Sequence, residues 1–376
     1  MDVICFSDIN WDFLWQRHQQ LLTRFPKTWN ILFIEPSFLG TFKDKPHHIL
    51  PRKVEENIFV TSFPMIPVFD RSQMLRRIND LLIIFWTRFA TRILHISNPI
   101  IIIYEPRYAC TLGKIGELLS CYEIADDRLE FTQVPRWIEQ KIDLLIKKSD
   151  LITLSANNLF VKINKKRKND LHIVGNGVDL EFFKNGGVIF PRPSDIPKIN
   201  NPIVGYIGAI GEWFDFNLIE MVLQSCSDLF FIIIGPIFPE QMMIASKLEK
   251  NYSNIKFLGK KDYHILPQYI NTFDVCLIPF KVNELTKGVN PVKVYEYAAS
   301  GKPVVSTYLP ELEKYQDTIY LAKDYKEFVE FIYTSIDEKP DVEKLLAMAE
   351  ENTWDSQTNK MLNLFNQYIS MKTKIE

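Results

Sequence analysis

Residues 290–306 read NPVKVYEYAASGKPVVS, a short helix that ends in a glycine and runs straight into a buried strand. Asn290 is placed to cap that helix. Pro291 suits its first position, because a missing N–H costs nothing there. Lys293 then falls in the first turn, at the positive end of the helix dipole, where a cation is disfavoured. An anion at the same place reconciles the two, since exposed backbone N–H groups at helix N-termini hold phosphates. Lys293 and Glu296 are three residues apart, so they share a helix face about 4.5 Å apart along the axis. As surface chemistry they are an ordinary i,i+3 ion pair. As a site, Lys293 and the N–H groups of 291–293 hold a diphosphate, and Glu296 accepts hydrogen bonds from ribose hydroxyls one turn on. A nucleotide diphosphate has that spacing.

Outward from this stretch, short β-branched runs alternate with longer helical patterns. Strands are expected near 2–7, 30–35, 58–62, 100–104, 120–125, 150–154 and 171–174. After a gap they resume near 203–207, 229–235, 255–258, 274–279, 303–306 and 317–321. Helical patterns fall at 14–25, 136–148 and 156–167. Such alternation marks doubly wound parallel α/β domains, and runs such as FFIIIG and VCLIPF read as strands buried on both faces. The gap, KNGGVIFPRPSDIPKINNP (184–202), is rich in Gly and Pro and has little periodicity, so it reads as an interdomain linker. The expected plan is an N-terminal domain over 1–184, a linker over 185–202 and a C-terminal domain over 203–350. A final helical segment, 351–376, would pack back toward the N-terminal domain, with Thr353 or Asp355 as its cap.

Three glycine patterns exclude other readings. GYIGAIG spaces Gly205, Gly208 and Gly211 by three, which is not a dinucleotide-binding fingerprint. SGKP has Glu296 where a P-loop needs its earlier glycine and Pro303 where it needs Ser or Thr. GNG (175–177) reads as a tight turn. Five scattered cysteines form no metal-binding pattern and fit a reducing compartment. The net charge of −2 gives no bulk attraction to nucleic acid.

NPVKVYEYAASGKPVVST resembles the donor-site motif of GT-B glycosyltransferases, especially the large family-four-like group. FLGKKDYHILPQYINTFDVCLIPF (257–280) is similar to the stretch preceding that motif. HIVGNGVDLEFF (172–183) resembles the end of the family's N-terminal domain. SDINWDFLWQRHQQLL (7–22) and YEIADDRLEF (122–131) resemble N-terminal motifs of a bacterial surface-polysaccharide subgroup. The resemblance implies a GT-B fold, two Rossmann-like parallel-sheet domains facing a central cleft. It implies a hexosyltransferase-type activity that moves a sugar from a nucleotide-diphosphate donor, UDP-sugar favoured, to a lipid-linked or saccharide acceptor in surface polysaccharide synthesis. The alternatives are a non-catalytic nucleotide-sugar-binding protein or a sugar-nucleotide epimerase on the same fold. Donor contacts are then expected at Gly208, Ala209, Tyr263, Asn290, Pro291, Val292, Lys293 and Glu296. No cofactor and no metal are expected. Two departures stand out. Gly288 occupies the place of a second glutamate found in many members. GAIGEWFDFN (208–217) offers Glu212 and Asp215 where many carry an Arg and a Lys.

Asp126 and Asp127 close a predicted strand, where α/β domains place ligand-binding groups. A turn and helix cap is the plain reading; a general base for the acceptor hydroxyl, with Asp126 ahead of Asp127, is the catalytic one. After the first strand, Trp11, Asp12, Gln16 and Arg17 supply stacking and hydrogen-bonding groups suited to an acceptor sugar or lipid diphosphate. RRINDLLIIFWTRFATRILH (76–95) joins apolar bulk to Arg76, Arg77, Arg88 and Arg92, which suits either a buried helix with a basic edge or an interfacial segment on anionic lipid. No apolar run is long enough to span a bilayer, and the opening MDVICFS reads as a strand. A cytoplasmic protein is expected, in reach of the inner face of the plasma membrane.

Overall fold

Eight strands make the first of two sheets in the computed structural model, which describes residues 1–36, 50–66, 72–132, 134–184 and 191–374. They are β1 (Asp2–Phe6), β2 (Asn30–Glu35), β3 (Arg52–Lys53), β4 (Ile58–Ser62), β5 (Ile100–Ile103), β6 (Leu119–Ile124), β7 (Leu151–Leu154) and β8 (Leu171–Ile173). Their order is β3-β4-β2-β1-β5-β6-β7-β8. Every pairing is parallel except β3 with β4. Val3 lies opposite Ile31 on one side and Ile100 on the other, so β1 is central. The β5 residues are four consecutive buried isoleucines, as expected of a strand covered on both faces.

The second sheet holds β9 (Ile203–Ile207), β10 (Phe230–Ile234), β11 (Ile255–Phe257), β12 (Val275–Ile278), β13 (Val304–Thr307) and β14 (Tyr320–Ala322), all parallel, in the order β11-β10-β9-β12-β13-β14. In each sheet the chain starts centrally, winds outward, then returns to wind the other way. The reversal falls between β1 and β5 in the first sheet and between β9 and β12 in the second. Ligands in open α/β sheets bind outside the strand carboxyl ends at such points.

The compact units divide between Val174 and Gly175, not at 184. Residues 175–184 pack with the second sheet because Val178 and Phe183 are wholly buried in its core. Ser300 Oγ also donates to the Phe183 carbonyl at 3.2 Å. Of the expected linker, 185–190 lie outside the described residues. The remainder is part of the C-terminal unit: Ile196 is buried in its core, and Asp195 pairs with Lys261 at 2.6 Å. The Gly and Pro content there marks irregular backbone, not a tether.

The last helix, Trp354–Thr373, starts under Thr353, whose Oγ1 accepts from the Ser356 amide at 3.2 Å. From Gln357 onward the chain clusters with the first sheet. Phe365 is buried edge-on to Phe25, with ring centroids 6.3 Å apart. Tyr368 donates to Asp170 at 2.8 Å and lies 2.9 Å from His172 Nε2. Lys372 pairs with Asp150 at 2.7 Å.

Candidate functional site

In the C-terminal unit, β9 ends at Ile207 and the chain turns through Gly208 and Ala209 at the reversal point. A Cβ on Gly208 would stand 1.8 Å from Lys293 Cε and 2.6 Å from its Nζ, so only glycine lets this lysine lie across the end of β9. Gly235, just past β10, is constrained in turn: its Cβ would meet the Gly208 carbonyl oxygen at 1.9 Å. Two donors fix the loop through the Ala209 carbonyl, the Tyr206 hydroxyl at 2.9 Å and Trp213 Nε1 at 3.2 Å.

Lys293 arrives on the helix Val292–Ala299. The residue flanking this helix is Pro291, and no side chain caps it. Asn290, expected as the cap, is occupied otherwise. Its side-chain oxygen accepts from the Tyr295 hydroxyl at 3.0 Å, and its carbonyl accepts from Asn176 Nδ2 at 2.6 Å. Pro291 has no N–H, so the amides offered at this helix start belong to Val292 and Lys293, not to 291–293. The helix is tied to β9 by the Ile207 amide, which donates to Tyr297 Oη at 2.8 Å.

Glu296 follows one turn later and is 8% exposed. Among the described residues its carboxylate accepts no hydrogen bond. Burial pushes its carboxyl up to about 7, with the Lys293 ammonium pulling in the opposite direction. A buried carboxylate with open lone pairs is costly unless something donates to it.

Three further residues of this unit have partners of their own. Tyr263 stacks on Phe182, with centroids 5.1 Å apart and planes 16° apart, so one ring face is already covered. Asp215 caps the helix Phe216–Ser225 through the Asn217 and Leu218 amides and accepts from the Tyr325 hydroxyl at 2.6 Å. Its charge is spent there. Lys302 donates to the Asn271 carbonyl at 2.9 Å, away from any phosphate-loop role. Lys281, which the motif reading passed over, follows β12 at the reversal point, where its amide bonds the Trp213 carbonyl at 2.8 Å.

In the N-terminal unit, three carboxylates leave the carboxyl ends of the adjacent strands β1, β5 and β6: Asp8, Glu105 and Asp126. Asp126 is exposed, within electrostatic reach of Asp8, His18, Arg17 and Arg128. Desolvation first, and the Asp8 charge second, raise its carboxyl to about 6 against the pull of His18, Arg17 and Arg128. Asp8 goes the other way. Burial opposes its ionisation, but His18, with Nε2 2.9 Å from Asp8 Oδ1, and Arg128 hold it below the usual carboxylate range. The His18 ring is itself packed on Tyr104, centroids 3.8 Å apart. Arg128 also reaches Glu105 at 3.4 Å.

Asp127 is spent structurally: Oδ2 pairs with Lys162 at 2.5 Å and Oδ1 accepts from the Leu129 amide at 3.3 Å. Arg17 is likewise committed. It is buried, pairs with Glu123 at 2.7 Å and donates to the Val174 carbonyl at 2.7 Å, which makes it a brace and not an acceptor ligand. Trp11 is buried edge-on against Phe33, so it is core rather than a stacking platform. Asp12 pairs with Arg52 at 2.7 Å on the surface, and the Gln16 amide donates to Gln19 Oε1 at the start of the helix Arg17–Leu22. Asp8, Glu105 and Arg128 were not singled out from sequence, and His18 carried little weight; Asp8 and Glu105 had a local signal, their places just past the first and fourth expected strands.

Residues 201–338 match the family model described as glycosyl transferases group 1. Over 175 residues the chain is 30% identical to TuaH of Bacillus subtilis (strain 168), whose name proposes a glycosyltransferase role in teichuronic acid biosynthesis. That alignment spans 46% of this chain and 44% of TuaH, less than half of each. Sucrose-phosphate synthase from Thermosynechococcus elongatus superposes with a TM-score of 0.76 at 12% identity, covering 99% of this chain and 100% of that one. Anabaena HepE, solved with UDP and glucose, superposes with a TM-score of 0.73 at 15% identity, covering 98% and 100%. The chain therefore has the two-domain fold of the GT-B glycosyltransferases, and residues 201–338 of its C-terminal unit are similar to the glycosyl transferases group 1 family.

Proposed function

We propose that this protein is a hexosyltransferase-type glycosyltransferase that takes a sugar from a nucleotide diphosphate, UDP-sugar favoured, and passes it to a lipid-linked or saccharide acceptor. The observation that carries the reading is the pair on the helix Val292–Ala299. Lys293 lies across the Gly208 turn at the sheet's reversal point, and the buried Glu296 carboxylate has open lone pairs one turn along. The diphosphate meets Lys293 and the Val292 and Lys293 amides, and the ribose hydroxyls donate to Glu296. As the glycosidic bond to the donor breaks, negative charge grows on the departing diphosphate, and fixed donors at its position lower the barrier. No metal is called for in this scheme. Lys281, at the same sheet end, adds positive charge where Arg and Lys are missing from the β9 turn.

The N-terminal unit serves the acceptor. Asp126, whose carboxyl is raised to about 6, takes the proton of the attacking hydroxyl, while Asp8 and His18 set its charge environment. TuaH and the HepE complex support surface-polysaccharide chemistry and a uridine nucleotide, respectively. The working location is the cytoplasm, at the inner face of the plasma membrane. Incubation with radiolabelled UDP-sugars and a membrane-lipid extract should yield a labelled product larger than the donor. Label that stays in the nucleotide pool, as an altered nucleotide sugar or unchanged, would overturn the transferase reading.

A further inference from the structure

We propose that the outward face of the helix Gln73–Ile93 is a docking surface for an anionic phospholipid bilayer. The inner face of this helix buries Asn79, Ile83, Thr87 and Ala90. On the opposite side Met74, Arg77, Leu81, Phe85, Arg88 and Arg92 follow one another at steps of three or four, so they form one continuous stripe. Met74, Leu81 and Phe85 are 71%, 67% and 57% exposed. Large apolar side chains normally face the core, and three in one row with Arg77 among them and Arg88 and Arg92 after them are an interfacial pattern.

The surroundings sharpen the assignment. Arg88 donates from Nε at 2.9 Å and from Nη2 at 2.6 Å to the Lys114 carbonyl. That pins the exposed Lys114 beside the stripe and adds a cation to its edge. Arg76 lies outside the surface, half-buried over the Trp137 ring at 5.6 Å. Asp80 sits on the flank with both oxygens held by Lys141, at 2.9 and 2.7 Å.

Charge decides the occupant. The stripe carries no Asp or Glu, so pairing two copies through it would set arginine against arginine with no carboxylate between them. A bilayer rich in anionic headgroups accepts both components, the apolar side chains below the headgroups and the guanidinium groups among them. The helix lies on such a surface and does not cross it, for among the described residues no helix is long and apolar enough to span a membrane. The inference rests on exposure and charge alone, so it stands or falls apart from the donor site.

The test is flotation of the full chain with vesicles of phosphatidylcholine alone and of phosphatidylcholine mixed with phosphatidylglycerol. Binding is expected on the mixed vesicles only, weakening as salt is added. Arg77→Gln and Arg92→Gln should each lower partitioning about five-fold. Leu81→Ser combined with Phe85→Ser should abolish it while lowering the melting temperature by only a few degrees, because both side chains are more than half exposed. The proposal is overturned by absence of binding to the mixed vesicles, by binding indifferent to lipid charge, or by variants that float like the parent. It is equally overturned by a stable dimer in solution that the Leu81→Ser, Phe85→Ser chain no longer forms.

Discussion

Replacing Glu296 with Gln should separate two properties that often move together, stability and donor affinity. The carboxyl of Glu296 is raised from 4.5 to about 7 in the folded chain. At roughly 1.4 kcal/mol per unit, its ionisation in the native state costs about 3 kcal/mol. The sign follows from proton counts. Between about pH 4.5 and 7 the native state holds a proton that the unfolded state has released, so stability falls as pH rises through this window. By pH 8 the full cost is present; below pH 4 it has vanished. Gln keeps the shape and does not titrate. At pH 8 the Glu296→Gln chain should therefore be more stable than the parent, by up to about 3 kcal/mol, and at pH 4 the difference should close. Donor binding should move the other way, since losing one charged hydrogen bond costs about 1.5–3 kcal/mol, or roughly 10- to 150-fold in Kd. Calorimetric melting at the two pH values and titration with a UDP-sugar at pH 8 read both quantities. A variant that melts lower than the parent at pH 8, or binds the UDP-sugar with unchanged Kd, would refute the account of this carboxylate.

Lys293→Ala should weaken UDP and UDP-sugars far more than uridine; equal losses would contradict a phosphate contact. Gly208→Ala, which displaces the Lys293 side chain, should produce a similar loss, and the double variant should be little worse than either alone, since both act through one contact. Asp126→Asn should leave donor affinity intact while turnover drops by roughly 10²–10⁴. Asp127→Asn should keep turnover and cost under about 1 kcal/mol, because the Lys162 ammonium it loses is half-exposed. The acid limb of kcat/KM should fall near pH 6, and Asp8→Asn should move it to lower pH by removing a charge that raises Asp126. A limb that stays put in that variant would show that Asp126 does not titrate in the rate.

Strand positions were legible because parallel strands buried on both faces are unbroken apolar runs; β5 and β9 fall within a residue of expectation. β3 escaped notice because Arg52 and Lys53 form only a two-residue edge strand and carry no apolar signal. The donor-side helix was legible from Pro291, Gly301 and the three-residue step from Lys293 to Glu296, all local features. Its cap was not, since Asn290 turns to Tyr295 and Asn176, and Asn176 is 114 residues away in sequence. Distance explains the N-terminal misreadings as well. Arg17 looked like a ligand because Glu123, its partner, is 106 residues downstream. Asp8, Glu105 and Asp126 come together only through the strand order β1-β5-β6, which no single stretch of chain encodes. The linker reading failed on one side chain, Ile196, whose burial outweighs the Gly and Pro around it.

The return of the last twenty residues to the first sheet has a consequence for synthesis on the ribosome. Domains usually fold as they emerge, N-terminal first. Here Phe25 receives Phe365, Asp170 receives Tyr368 and Asp150 receives Lys372, all from the helix Trp354–Thr373. The unit whose sheet is translated before the second sheet is therefore completed only after it. Until the helix Trp354–Thr373 has emerged, Phe25, Asp170 and Asp150 lack these partners. A chain cut after Ser356 would keep the C-terminal unit whole and leave the N-terminal one without Phe365, Tyr368 and Lys372, so damage to the first sheet's unit can be written more than 180 residues past its last strand.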